Sequence, residues 1–174
     1  MQVNLKSFRL LVRHNKSRLK RFLSKTERQQ PKKIYQTLEN IDKEVWKETD
    51  CLSCANCCKT MTPTYSAQDV NRIAKHFKIT PEAFRKKWLK KDRAGDLVNK
   101  TMPCQFLDLK TNMCAIYLVR PADCSGFPHL TKRKFSDYIH VHKQNLEYCP
   151  ATYKMVMKLS EVVSLQSSTG SREV

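Results

Sequence analysis

Apolar residues recur at helical spacing toward both ends of the chain and lose that spacing in the middle. Leu5, Phe8, Val12, Asn15, Leu19 and Phe22 fall at heptad a and d positions among Lys and Arg, which predicts a helix over residues 4–25. That helix has three expected uses: pairing with another helix, lying on a membrane surface, or docking on the body of the protein, with docking the default. Pro31 closes the segment and suits the start of the next helix. Ile34, Leu38, Ile41, Val45 and Trp46 carry that second helix over 32–48. Ser66 caps a third over 67–77, facing Val70, Ile73, Ala74 and Phe77 inward. Thr80-Pro81-Glu82 starts a fourth, to about Lys91, with Phe84, Trp88 and Leu89 on one face. Residues 92–103 read as a polar connection. Between 104 and 130, Phe106-Leu107 and Ile116–Val119 are too short for more than strands or turns. A last helix is expected over 150–165, and the Ser-rich stretch from Ser164 to Val174 reads as disordered.

This pattern predicts a mainly α fold with irregular cysteine-rich loops, a small single domain organised around a metal site. Its expected parts are a basic amphipathic helix at 1–30, a cysteine-rich domain at 31–163 and a tail at 164–174. A chain of 174 residues buries a core without needing disulfides. No eighteen-residue apolar run predicts a membrane span. Leu10-Leu11-Val12 is too short for a secretory signal, so a cytoplasmic, reducing location is expected. Residues 1–26 lack acidic groups, as a mitochondrial presequence does, but a basic surface helix is the plainer reading.

Charge adds one feature. The net charge is +17, and residues 1–33 hold eleven Lys/Arg against one Glu. Such an arm attracts phosphates, anionic lipid or nucleic acid. No nucleic-acid motif accompanies it, so keeping the protein soluble is the plainer reading; an acidic protein partner is kept as an alternative, and nucleic acid or an anionic membrane surface is not favoured.

The chemistry lies in eight cysteines. CLSCANCC places Cys51, Cys54 and Cys57 in two successive C-x2-C steps, a spacing that turns sulfurs back toward one ion. Such a run, followed by a distant Cys-Pro, also begins many iron–sulfur sites, and Cys149-Pro150 supplies that pair. Cys57 and Cys58 are adjacent, so their side chains are expected to diverge, one serving a second site, bridging two metals, or staying a structural or reactive thiol. Cys104, Cys114 and Cys124 follow, each separated from the next by nine residues. Eight thiols suit two four-sulfur sites, or one four-sulfur cluster with four thiols spare. For Cys104 beside Phe106 and Cys114 beside Ile116, simple apolar packing is the competing reading.

CLSCANCC together with PCQFLDLKTNMCAIYLVRPADCSGFP resembles the YkgJ-type cysteine-cluster family of zinc- or iron-chelating proteins, most closely its short stand-alone bacterial members. The resemblance covers roughly residues 45–150. Ala55-Asn56 stands where the family often has Gly in the first knuckle. The resemblance implies metal binding through Cys51, Cys54, Cys57, Cys58, Cys104, Cys114, Cys124 and Cys149, with zinc or iron, including a 4Fe-4S cluster, as the cofactor. It implies no settled activity. Arg120 is expected to offset thiolate charge and Pro121 to shape the turn before Cys124. Asp108, Asp123 and His129 are expected to cap or solvate, and His140 and His142 to alternate along a strand. Tyr117, Phe127 and Trp88 are expected as core around the site.

Three functions follow: a metal-binding module, an iron–sulfur electron carrier docking an acidic partner, or an enzyme using a cluster or a thiol such as Cys58. The chain has no G-x-G-x-x-G, P-loop, H-E-x-x-H or G-x-S-x-G motif.

Overall fold

The computed structural model describes residues 3–31, 33–131 and 134–169. The chain forms two compact units, one of residues 1–50 and 128–174, the other of residues 51–127. Both differ from the expected division at 30/31 and 163/164, because the last third of the chain returns to pack with the first.

The helical unit rests on amphipathic helices. Helix α1 (Leu5–Arg28) starts at Asn4, whose side chain accepts from Ser7 N, and buries Phe8, Val12, Leu19, Leu23 and Thr26. Leu23, not Phe22, takes the inward position, as a straight 3.6-residue turn drifts from the expected heptad. Helix α2 (Ile34–Glu48) buries Ile34, Leu38, Ile41 and Val45. Helix α8 (Ile139–Asn145) and helix α9 (Pro150–Thr169) complete the unit, with α2 against α9 and α1 against both α8 and α9. Docking is therefore the use to which the buried face of α1 is put. Its apolar side chains are each worth about 1.5–3 kcal/mol when buried. Glu147 receives Lys16 at 3.4 Å and Lys20 at 2.5 Å, and Glu27 receives Lys143 at 3.0 Å.

Two expectations need correction here. Residues 139–145 are helical, so His140 and His142 do not alternate along a strand; His140 is exposed and His142 is fully buried. Phe135, Ile139 and Leu146 place a helical apolar stripe there that outweighs the local alternation. Helix α9 also continues to Thr169, past the expected break at Ser164, and residues 170–174 lie outside the described residues.

The cysteine-rich unit contains short helices α3 (Cys51–Cys54), α4 (Asn56–Thr60), α5 (Ala67–His76), α6 (Pro81–Trp88) and α7 (Ala122–Gly126). Thr80 caps α6 and Pro81 opens it, as expected. The helix then stops at Trp88, three residues early. Leu89–Lys91 turns extended as strand β1 and pairs antiparallel with β2 (Leu97–Asn99), Leu89 opposite Asn99. The turn between them explains the difference. Asp92 accepts from the backbone of Ala94 and Asp96, and Gly95 takes φ +90, which glycine adopts without strain. Phe84, Val70, Ile73, Phe106 and Ile116 form the core, with Phe77 stacked on Trp88 at 4.9 Å and Phe84 on Phe106 at 6.3 Å.

Candidate metal centre

The first three cysteines are presented by a tight knuckle. Helix α3 ends at Cys54, Ala55 turns through φ 44 and ψ 18, and α4 begins at Asn56. That left-handed conformation favours glycine, so Ala55 carries strain at the position where a Gly was noted as common. Cys51 is exposed and Cys54 buried. The turn brings Cys57 and Cys58 side by side, with sulfurs 4.0 Å apart. Two thiolates about 2.3 Å from one tetrahedral ion stand roughly 3.8 Å from each other. The adjacent pair therefore converges, where divergence was expected. The hydrogen bonds given by Cys57 to Cys51 and Cys58, with burial added, push its thiol far up; the bond received from Cys57 holds Cys58 below its ordinary value.

The later cysteines are brought in by loops. Cys104 N donates to the carbonyl of Cys58 at 2.8 Å, pinning the two segments together. Leu107 and Cys114 form an antiparallel bridge, and Ala115 N donates to Phe106 O at 2.8 Å, closing a narrow loop between Cys104 and Cys114. At its tip Asn112 donates through Nδ2 to Ser53 O at 3.1 Å, which ties this loop to the knuckle. Asp108 caps the same tip by accepting from Lys110 N and the Thr111 hydroxyl, the role expected of it. Cys104 and Cys114 also pack against the aromatic core, so packing and site geometry share these positions. Burial raises the thiols of Cys54, Cys104, Cys114 and Cys124, and neighbouring cysteines add repulsion in each case.

Cys124 sits on α7, which a clamp invisible in the sequence holds in place. Asp69 is buried and completes a capping box with Ser66 at the start of α5. Its carboxylate also accepts from Arg72 at 2.6 Å and from the backbone of Ala122 at 3.0 Å. Burial works against this charge, but the bonds from Ser66, Arg72 and Ala122 hold the carboxyl below its usual range. Arg72 in turn reaches Arg120 O at 2.8 Å, and Asp123 accepts from Thr64 N at 3.1 Å. The cap at Ser66 was readable; that Asp69 also fastens the Cys124 turn was not.

Arg120 lies over the Tyr117 ring at 3.9 Å, and its charge lowers the Cys114 thiol against burial. Tyr117 is itself an exposed platform for Arg120 and not core, whereas Trp88 is half-buried within the aromatic stack.

Cys149 belongs to the helical unit, buried, with its sulfur 3.4 Å from Thr152 N. All eight cysteines are free thiols. Among the described residues, no group of three or more His, Cys, Asp or Glu side chains stands arranged to hold a metal ion, so the expected organisation around a metal site is not seen. The donor chemistry nevertheless fits a soft metal: the sulfurs are reduced, two already stand at a ligand pair's separation, and their mutual repulsion is what a cation would relieve. No described helix is long and apolar enough to cross a membrane.

Comparison with known proteins agrees with this chemistry. A stretch of 81 residues is 35% identical to an uncharacterized protein of Methanocaldococcus jannaschii, covering 45% of this chain and 43% of that protein, so the chain spans less than half the length of this relative. No solved structure matches the chain. The family described as "CxxCxxCC: putative zinc- or iron-chelating domain" matches residues 50–150, which takes in all eight cysteines. The chain belongs to the CxxCxxCC family of zinc- or iron-chelating domains.

Proposed function

We propose that the protein is a thiolate metal-binding module that holds zinc or iron through Cys51, Cys54, Cys57, Cys58, Cys104, Cys114 and Cys124, with Cys149 as a further candidate ligand. The observation that carries this reading is the backbone bond from Cys104 N to Cys58 O, with the Asn112 tie to Ser53. Those two links hold cysteines nearly fifty positions apart in one compact unit without any disulfide. Zinc bound there would be structural, while an iron–sulfur cluster would supply one-electron transfer. The chain's own part is to gather the sulfurs, restrain the Cys124 turn through Asp69, and offset thiolate charge with Arg120 and Lys59.

The test is anaerobic purification followed by metal and acid-labile sulfide analysis with absorbance spectra. Tightly held zinc in colourless protein supports the structural module. Brown protein with iron and sulfide supports the 4Fe-4S carrier. Protein that holds no metal while all eight thiols react overturns both. For the carrier reading, the exposed Lys6, Arg9, Arg13, Arg21 and Arg28 of α1 are the proposed contact for an acidic partner. Reversing Arg9, Arg13 and Arg21 to Glu should abolish salt-sensitive binding to an acidic redox protein; unchanged binding removes that assignment.

A further inference from the structure

The end of α6 and the hairpin that follows gather positive charge. Residues 85–100 hold seven Lys/Arg against two Asp. Arg85 is paired with Glu82 at 3.6 Å. Lys86, Lys87, Lys90, Lys91, Arg93 and Lys100 are exposed, and among the described residues none of them pairs with a carboxylate. Asp92 is engaged in the turn, where its carboxylate accepts from Ala94 N at 2.9 Å and Asp96 N at 3.0 Å. Strand neighbours point to opposite faces, and Lys90 and Lys91 are both exposed, so β1 presents charge on both sides. Lys100 is drawn to the same place: its backbone N donates to Trp88 O at 3.0 Å and its ammonium to the Lys86 carbonyl. Lys87 Nζ lies 4.4 Å over the Trp88 ring. The fold thus brings together cations that repel one another, a field that concentrates anions.

This surface has no apolar anchor. Leu89 and Val98 are buried, and Trp88 and Leu97 are half-buried. A protein partner is held by aromatic or aliphatic side chains in desolvated pockets, and a bilayer takes apolar side chains into its headgroup boundary. A nucleic-acid backbone needs neither, because Lys and Arg bind phosphates with release of counterions. Helix α1 differs in this respect, with Leu10 and Leu11 exposed among its cations. All the unpaired cations of the hairpin surface but Arg93 are Lys, point charges without the planar fork with which Arg reads guanine. Contacts of this kind position a duplex and carry no sequence information.

We propose that the surface formed by Lys86, Lys87, Lys90, Lys91, Arg93 and Lys100 binds the phosphate backbone of nucleic acid without sequence preference, an activity separate from metal binding by the cysteines. The test titrates the reduced full-length chain with labelled duplexes of two unrelated sequences, from about 50 to 200 mM salt. Both should bind alike, with log K falling against log salt at a slope of roughly −3 to −5. The triple change Lys90→Gln, Lys91→Gln and Arg93→Gln should weaken binding about tenfold or more and make the slope shallower by about two to three, with helical circular dichroism unchanged. The matching change in α1, Arg9→Gln, Arg13→Gln and Arg21→Gln, should weaken it less than about threefold. Should the triple variant unfold, Lys91→Gln alone decides, through a slope change of about one. No binding by the unaltered chain, equal losses in the hairpin and α1 variants, or tighter binding to polyglutamate or to phosphatidylserine vesicles than to the duplex at equal salt would each overturn the assignment. None of these outcomes bears on chelation, which metal analysis tests by itself.

Discussion

The helical unit and the cysteine-rich unit solve the folding problem differently. The first has long helices whose apolar stripes make one another's core, as Leu19, Leu23, Val45 and Leu159 show by being fully buried. Its stabilisation is spread over many side chains, and its ion pairs are surface ones worth little individually. The second has short helices, a hairpin of two three-residue strands and one aromatic stack. Its loops from 104 to 124 rest on a few hydrogen bonds. The lesson is that the cysteine-rich loops depend on something beyond apolar burial, which is where a bound metal would contribute most.

The largest expected effect tests that dependence. The two tryptophans report separately, Trp46 in the helical unit and Trp88 in the cysteine-rich unit. With the proposed metal bound, stripping it from reduced protein with a chelator should remove on the order of 10 kcal/mol from the second unit. Trp88 emission, read in a Trp46→Phe variant, should shift to the solvent-exposed value while Trp46, read in Trp88→Phe, stays put. Equal shifts at both would erase the distinction.

A smaller break comes from the aromatic core. Phe84 is fully buried among Tyr65, Phe77, Trp88 and Phe106. Phe84→Ala should cost about 3–5 kcal/mol and open residues 51–127 to limited proteolysis before the helical unit. Cleavage beginning in the helices would count against independent cores.

The helical unit has its own weak point. His142 is fully buried, stacked on Phe135 at 4.9 Å, with neither ring nitrogen hydrogen-bonded among the described residues. Burial, with smaller contributions from His129 and His140, lowers it from 6.5 to about 4. The unfolded chain therefore binds the proton more readily than the folded one between those values. Stability should rise with pH across that window and fall by about 3 kcal/mol as pH drops through it. His142→Leu should flatten that portion of the slope in urea titrations, and an unchanged slope would remove His142 as its source.

The smallest effect sharpens the knuckle. Ala55→Gly should relieve left-handed strain and stabilise the protein by about 0.5–1 kcal/mol, measured by denaturant midpoint at constant m. A loss of stability would show that the alanine methyl contributes packing that outweighs the strain.

Much of this was legible along the chain. The caps at Ser66 and Thr80 and the burial of Ile34, Leu38, Ile41 and Val45 follow from residue type and spacing, and the resemblance carried by CLSCANCC with the run over 103–128 pointed to the family. The hairpin after Trp88 was not, because Lys90 and Lys91 read as a helix end until Asp92 and Gly95 close their turn. The helix over residues 139–145 was missed because His-Val-His mimics strand alternation.

Sequence alone determined the thiols and the long amphipathic helices, since thiol chemistry is intrinsic to cysteine and amphipathic period is a local property. Tertiary structure decided which cysteine-bearing segments meet. The return of residues 128–174 onto the first fifty puts Cys149 with the helices, and Asp69, Asn112 and the Cys58 carbonyl draw distant loops together. The first rests on apolar helix faces and the others on hydrogen bonds, in each case between residues remote in sequence, whose partners no local pattern specifies.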